Sequence, residues 1–275
     1  MRTARRVVLS ATALVVAIVV FVVPFLFILL TSSKDRADAS RLEFAFPEQF
    51  QFFENMIAVL QTRDWMLVRA FVNSTVLTVV SVALMVVFAA MVGFVLQRRR
   101  SRLNGLINAM VIAGLIIPPA IVPTIWVLQG LGLYATLPGL ILIEVAYSLS
   151  FCIVLYRAFI STIPKELDEA AILDGATGLQ LFFRVILPLL KPVTVTVIVV
   201  NTVAVFNDFT NPLYYLPGDA NATVQLTLYN FQSEFSTSWN YLFMDILLIT
   251  IPPLIVFLLF NRQIVAGMTA GAVKG

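Results

Sequence analysis

The residues of this chain best suited to chemistry are polar side chains that lie inside very apolar segments. Acidic residues occur in three such segments, as Glu144, Asp208 and Asp245. An acid in a membrane-spanning segment is costly to insert, so it is expected to face other helices or a water-filled path rather than lipid. Glu144 and Asp245 lie within a turn or two of the ends of their segments, which favours a snorkelling or packing role for both.

A polar stripe runs along the segment that contains Asp208. Its members recur every seven residues and fall on one narrow face of a helix: Thr194, Asn201, Asp208 and Tyr215, with Asn211 beside them. Such a face either forms hydrogen bonds with a neighbouring helix or contacts a polar solute, and the sequence leaves both possibilities open. The candidate substrate path is Asn201, Asp208, Asn211 and Tyr215. Pro212 is expected to break the helix near its outer end.

Groups that usually perform catalysis are scarce in the sequence. The chain has no histidine, which excludes His-based metal sites and His general bases. Cys152 is the single cysteine, so an intrachain disulfide is impossible. Neither a G-x-S-x-G motif nor a Gly-Lys pair occurs, so a Walker A phosphate loop is missing. We therefore expect no catalytic residue, no metal site and no ATP hydrolysis in this chain, although an intramembrane enzyme is one alternative class.

The composition indicates a membrane protein. Hydrophobic residues make up 60% and charged residues 12% of the chain, whereas soluble domains contain about 25% charged residues. A helix needs about 20 mostly apolar residues to cross a bilayer. Six segments qualify, at approximately 7–30, 70–96, 106–129, 138–157, 192–216 and 241–261. The predicted fold class is all-α, a multi-pass transmembrane protein with six helices.

In two of these segments, the positions of the prolines predict where a helix is interrupted or begins. The third contains Gly114, Pro118, Pro119 and Pro123, so we expect it to be kinked or locally unwound. Pro138 suits the first turn of the fourth helix.

The basic residues predict the orientation of the chain. If the N-terminus is cytoplasmic, only five of the 18 lysines and arginines lie outside: Lys34, Arg36, Arg41, Arg63 and Arg69. The positive-inside rule then places both termini in the cytoplasm. A cleaved secretory signal is the competing interpretation of the N-terminus, but its apolar run is longer than the roughly 7–15 residues of such signals.

We expect one transmembrane domain over residues 1–275, with an outer loop at about 31–66 and a cytoplasmic loop at about 158–191. The outer loop carries an aromatic cluster, which indicates a short helix at the membrane interface or, alternatively, a ligand-binding platform. The cluster comprises Phe44, Phe46, Phe50, Phe52 and Phe53.

The cytoplasmic loop has the signals of two short helices. Pro164 fits the first turn of a helix, and Leu167, Ala170 and Ala171 form a short apolar face that a partner could approach closely. The acidic residues near the start of that helix are stabilised by the positive end of its dipole. Gly175 can end it in the left-handed conformation. A second helix at roughly 178–187 then begins with a capping box, Thr177 to Gln180, and stops at Pro188 and Pro192.

The spacing inside this loop resembles a known signature. The sequence reads Glu-Ala-Ala, three residues, Gly, nine residues, and Val-Ile-Leu-Pro at its end, from Glu169 to Pro188. This pattern resembles the coupling loop of ABC-importer permeases, with Val185 where isoleucine is usual. Phe206–Leu213 and the tail Thr269–Gly275 resemble the carbohydrate-uptake branch, in particular the smaller maltose-type permease subunit.

The resemblance implies a type I ABC-importer permease in a bacterial inner membrane. The chain would then form half of the pathway through which a sugar crosses the membrane. Implied partners are a second homologous permease in a heterodimer, two ATP-binding subunits that hold ATP and Mg, and an extracytoplasmic sugar-binding protein; no nucleic acid is expected. The alternative is an ion-coupled secondary transporter that uses Asp208 and Glu144. Against it, this sequence shows no inverted repeat of the kind that many secondary transporters contain. The implied ATPase-coupling residues are Glu169, Ala170, Ala171, Asp174, Gly175, Leu187 and Pro188.

Overall fold

A computed structural model describes residues 2–99, 101–234 and 238–272, and every regular element within these ranges is helical. Two short π-helical stretches, Ile18–Val22 and Leu181–Ile186, interrupt the α-helices. In chain order the α-helices are α1 Arg2–Ala17, α2 Val23–Ser32, α3 Arg36–Ser40, α4 Phe52–Arg98, α5 Asn104–Ile116, α6 Ile121–Gly130, α7 Leu137–Ile160, α8 Glu166–Leu173, α9 Gly178–Gln180, α10 Leu187–Leu189, α11 Lys191–Phe206, α12 Thr210–Tyr215, α13 Val224–Glu234 and α14 Trp239–Ala272.

Four helical segments of the described chain are long and apolar enough to cross a membrane. They are Leu9–Ser32, Phe52–Arg98, Leu137–Ile160 and Trp239–Phe260. A fifth candidate is the pair Gly178–Leu189 and Lys191–Phe206, which is bent by 76°. The third predicted segment corresponds to two shorter apolar helices, α5 and α6. The number of membrane crossings therefore stays a prediction.

The third predicted segment is interrupted where its prolines occur. Helix α5 ends at Ile116 and α6 begins at Ile121, and Ile117 between them has an extended backbone with ψ 121°. A residue before proline is driven out of the helical region by the proline ring, which explains the extended Ile117 before Pro118. The expected unwinding of this segment is confirmed.

The fifth predicted segment is also broken, but four residues before Pro212. Helix α11 ends at Phe206, and α12 begins at Thr210. Pro212 lies in the first turn of α12, where a missing backbone N–H leaves no hydrogen bond unmade. The expected break is confirmed, because a proline cannot donate to the carbonyl four residues earlier and its ring clashes with that carbonyl, which here belongs to Asp208.

Helix α4 contains a break at Thr62–Trp65. Arg63, Asp64 and Trp65 all have positive φ, between 48° and 59°. The helical stretch after this break contains the second predicted segment. The predicted outer loop before it contains α3 and the first turns of α4.

The described residues form two compact units. One contains the residues up to Ala70 together with Val224–Pro252, and the other contains Phe71–Thr223 and the residues from Pro253 onward. The single transmembrane domain expected over residues 1–275 stays a prediction.

Buried amide contacts organise the first unit. The Asn55 Nδ2 donates to the backbone oxygens of Ser32 and Lys34, both at 2.8 Å, and the Asn240 Nδ2 donates to the Asn55 Oδ1 at 2.9 Å. The buried Lys34 ammonium lies 3.5 Å from the Asp38 carboxylate. These contacts fix the end of α2 and the start of α4 to the start of α14.

The second unit holds an apolar core in which α4, α5 and α7 pack closely. A Cβ placed on Gly93 of α4 would lie 3.0 Å from the Tyr156 Cβ of α7. A Cβ placed on Gly114 of α5 would lie 2.3 Å from the Ser150 Oγ. Glycine at both positions therefore lets the helices approach closely, and α7 becomes the central element on which the candidate sites are built.

Candidate functional site

The loop between α7 and α11 folds into the two short helices that the sequence predicts. The first is α8, Glu166–Leu173, and Lys165 rather than Pro164 immediately precedes it. Three acids, Glu166, Asp168 and Glu169, occupy its first turn, where the helix dipole favours negative charge.

Gly175 ends α8 as the spacing predicts. Its φ is +83°, and the Gly175 N–H donates to the Ile172 oxygen at 3.0 Å. The Ala176 N–H donates to the Ala171 oxygen, also at 3.0 Å. These two bonds form a Schellman motif, which places its C′ residue in the left-handed region where glycine has no steric penalty.

The second half of the loop begins with the predicted capping box. The Gln180 N–H donates to the Thr177 Oγ1 at 3.4 Å, and the Thr177 N–H donates to the Gln180 Oε1 at 2.9 Å. The chain stays helical through Leu189, although Leu181–Ile186 takes the wider π form. Two capped helices joined at Gly175 make a rigid projection, which we call the coupling loop and define as residues 158–191.

The coupling loop presents apolar side chains to its surroundings. The exposed fractions are 88% for Leu173, 64% for Leu179 and 58% for Ile172. Exposed apolar side chains grouped on one projection indicate a protein contact surface. These three residues were not predicted from the sequence. A leucine or isoleucine near the glycine that ends a helix is the signal that could have indicated them.

The coupling residues implied by the signature fall into two groups. Glu169, Ala170, Asp174, Gly175 and Pro188 are exposed. Ala171 and Leu187 are partly buried and pack against the apolar core of the second unit. Ala171 is thus less exposed than Ala170, and its place in the contact face stays a prediction.

An ion pair fixes α8 to the end of α4. The Arg98 Nε lies 2.8 Å from the Asp168 Oδ2, and both side chains are largely buried. Burial raises the pKa of the Asp168 carboxyl above its ordinary value, and the positive charge of Arg98 acts in the opposite direction. From the sequence, Arg98 was interpreted only as a marker of the cytoplasmic side, since nothing in its spacing pairs it with a residue 70 positions later.

Most of the polar stripe faces α7. The Tyr156 hydroxyl donates to the Thr194 Oγ1 at 3.0 Å, and the Asn201 Nδ2 donates to the Cys152 Sγ at 3.3 Å. The Tyr215 hydroxyl shares a hydrogen bond of 2.8 Å with a second tyrosine of α7, Tyr147. Asn201 and Tyr215 are 3% and 1% exposed. Interhelical hydrogen bonding, one of the two possibilities left open by the sequence, accounts for this part of the stripe.

Asp208 and Asn211 have a different environment at the break between α11 and α12. The Asp208 Oδ1 accepts from the backbone N–H groups of Thr210 at 2.8 Å and Asn211 at 3.3 Å. The Asn211 Nδ2 donates to the Glu144 Oε1 of α7 at 3.2 Å. Asp208 and Asn211 are partly exposed, so of the four candidate path residues these two remain accessible.

The other two acids of the apolar segments are buried. Glu144 is 4% and Asp245 is 0% exposed, which matches a packing role and excludes snorkelling for both.

Comparison with known proteins agrees with this geometry. Residues 85–270 match the family described as the binding-protein-dependent transport system inner membrane component. The chain is 32% identical over 280 residues to the melibiose/raffinose/stachyose import permease protein MelC of Bacillus subtilis, with both chains fully covered. It is 30% identical over 271 residues to the diacetylchitobiose uptake system permease protein NgcG of Streptomyces coelicolor, covering 97% of this chain and 88% of the relative.

A solved structure shares the fold. The crystal structure of a bacterial ABC transporter involved in the import of the acidic polysaccharide alginate contains a chain that superposes with a TM-score of 0.79. The two chains are 21% identical, and the match covers 94% of this chain and 97% of the other. The predicted all-α permease fold is confirmed.

Proposed function

The chain belongs to the family of inner-membrane components of binding-protein-dependent transport systems, and from this premise we propose that it is a permease subunit of an ATP-driven sugar importer. The substrate class is supported by relatives named for the import of melibiose, raffinose and stachyose and of diacetylchitobiose. The chain itself is a non-catalytic subunit in this proposal, and it forms half of the translocation pathway.

The coupling loop is the proposed contact with the ATPase. The observation that carries this proposal is a rigid, doubly capped projection whose tip exposes Ile172, Leu173 and Leu179. Desolvation of such side chains in a partner's groove contributes about 25 cal/mol for each Å² of apolar area buried. Glu169, Ala170 and Asp174 are exposed close by in the sequence and would form the rim of the contact.

The remaining parts of the complex follow from the same proposal. A second homologous permease supplies the other half of the pathway, and two ATP-binding subunits bind ATP and Mg in the cytoplasm. A sugar-binding protein delivers the solute on the outer side, and both termini of this chain are cytoplasmic. Closure of the ATPase pair moves the coupling loop and switches the pathway from inward-open to outward-open.

Asp208 and Asn211 are the proposed contacts of this subunit with the sugar. Both carry hydrogen-bonding groups at a helix break, and irregular backbone at membrane depth is tolerated where it lines a cavity or is buried in protein. Asn201 and Tyr215, also candidates from the sequence, are proposed instead to hold α11 and α12 against α7.

The experiment that tests the proposal is sugar uptake by the reconstituted complex of this chain, its partner permease, the ATPase pair and the binding protein. We expect ATP-dependent uptake that persists after the proton gradient is collapsed. Leu173→Asp should abolish it, while Leu103→Asp, an exposed leucine outside the coupling loop, should leave it unchanged. Uptake that requires the proton gradient and not ATP would contradict the proposal.

A further inference from the structure

The cytoplasmic end of α4 contacts both halves of the coupling loop. Beyond its ion pair with Asp168, Arg98 donates through Nη2 to the Ile163 oxygen at 2.8 Å. One turn earlier, the Phe94 ring lies 5.7 Å from the Phe182 ring, centroid to centroid. Arg98 therefore holds the entry to α8, and Phe94 holds the segment that follows Gly175.

The same end of α4 is fitted tightly against α7. The Gly93 backbone approaches Tyr156 so closely that a Cβ on Gly93 would lie at 3.0 Å from the Tyr156 Cβ. Close-packed helices transmit displacement because packed interiors have few voids and low compressibility. A displacement of the coupling loop would thus reach α4 directly, and not only α7 and α11, between which the loop is inserted.

Asp168 differs from the other acids of α8. Glu166 and Glu169 are exposed, whereas Asp168 is buried and faces Arg98. A charge left without its partner in such a position destabilises the local structure, whereas an exposed ion pair contributes little. The orientation of α8 therefore depends on Asp168 more than on its two acidic neighbours.

We infer that Arg98 and Asp168 are positioning residues for transport, and that their ion pair makes α4 move with the coupling loop when the ATPases close. This inference rests on the proposed function, since it assigns α4 as a further element through which that loop acts. The pair does not contact the sugar or ATP; it sets the angle and stiffness of α8 relative to the membrane-spanning helices.

The test uses the complete reconstituted complex with Asp168→Asn and, as a matched control in the same turn of α8, Glu166→Gln. We expect Asp168→Asn to assemble and to keep its basal ATP hydrolysis. The stimulation of ATP hydrolysis by sugar-loaded binding protein should fall on the order of tenfold, the size typical of coupling between sites. Glu166→Gln should keep full stimulation.

A charge exchange separates positioning from folding. Arg98→Asp combined with Asp168→Arg restores an attractive pair, so it should recover part of the stimulation that either single change removes. Assembly is measured in parallel by size-exclusion chromatography of each complex. Failure of Asp168→Asn and of the exchanged pair to assemble would overturn the inference, because the pair would then serve folding alone.

The outcome also distinguishes this inference from the proposed function. Normal stimulation in Asp168→Asn with loss of coupling in Leu173→Asp overturns the role of the ion pair and leaves the proposed function intact. Normal coupling in both variants overturns the proposed function, and the inference with it.

Discussion

The amide of Asn211 donates to the carboxylate of Glu144 across 3.2 Å, and this bond joins the break after α11 to the central helix α7. Asp208 lies beside Asn211, because the Asp208 carboxylate accepts a hydrogen bond from the Asn211 backbone N–H. The result is a short chain of hydrogen bonds from α12 to α7. Asp208 thus stabilises the start of α12 while its remaining surface is accessible to a polar solute.

The cap at Asp208 gives the first prediction. Asp208→Ala removes the acceptor for two backbone N–H groups, at a cost of about 1 kcal/mol in the stability of α12. Asp208→Asn keeps a capping oxygen and removes the charge. If the carboxylate contacts the sugar, both variants should lower uptake in assembled complexes; if Asp208 only caps the helix, Asp208→Asn should transport like the natural chain.

The buried stripe gives the second prediction. Asn201→Leu removes hydrogen bonds to the Cys152 sulfur and to the Val197 oxygen. Hydrogen bonds between membrane helices contribute about 0.6 kcal/mol on average, so the melting temperature of the complex should fall by a small amount. The sugar concentration that gives half-maximal uptake should not change, because Asn201 is buried against α7. A large increase in that concentration would place Asn201 on the sugar path.

The coupling loop was the part of the fold most accessible to sequence reasoning. Its caps are local: Gly175 and the pair Thr177 and Gln180 act on residues within one turn, and spacing alone reveals such signals. The ion pair of Arg98 and Asp168 could not be predicted, because it depends on how α4 packs beside the loop.

The two breaks in predicted membrane segments also come from local signals. Pro118 and Pro119 interrupt a helix in the middle of an apolar run, so the break between α5 and α6 was predictable. Pro212 acts in the same way, since its ring clashes with the carbonyl of Asp208 four residues earlier, where α11 and α12 are separated. The cap that the Asp208 Oδ1 forms at the start of α12 was not predicted from the sequence.

Topology gives the third prediction. With Cys152 replaced by alanine, cysteine is introduced at Ser40 or Gln180, both of which are exposed. A membrane-impermeant thiol reagent applied to intact cells should label Ser40→Cys and should label Gln180→Cys only after the membrane is opened. The reverse labelling pattern would invert the orientation derived from the positive-inside rule.

The central claim is that the coupling loop transmits ATPase motion to the membrane helices. Gly175 has a φ of +83°, and a Cβ there would contact nothing of this chain within 4 Å, so within the chain a substitution acts through backbone strain. A β-branched residue in this conformation costs on the order of 1–3 kcal/mol. Asparagine tolerates the left-handed region and provides the matched control.

The most direct measurement is the number of sugar molecules imported per ATP hydrolysed by the reconstituted complex carrying Gly175→Val. We predict that the ratio falls strongly in Gly175→Val and stays near the natural value in Gly175→Asn, with both complexes fully assembled. An unchanged ratio in Gly175→Val would contradict the account, since a strained turn at the tip of the coupling loop would then have no effect on coupling.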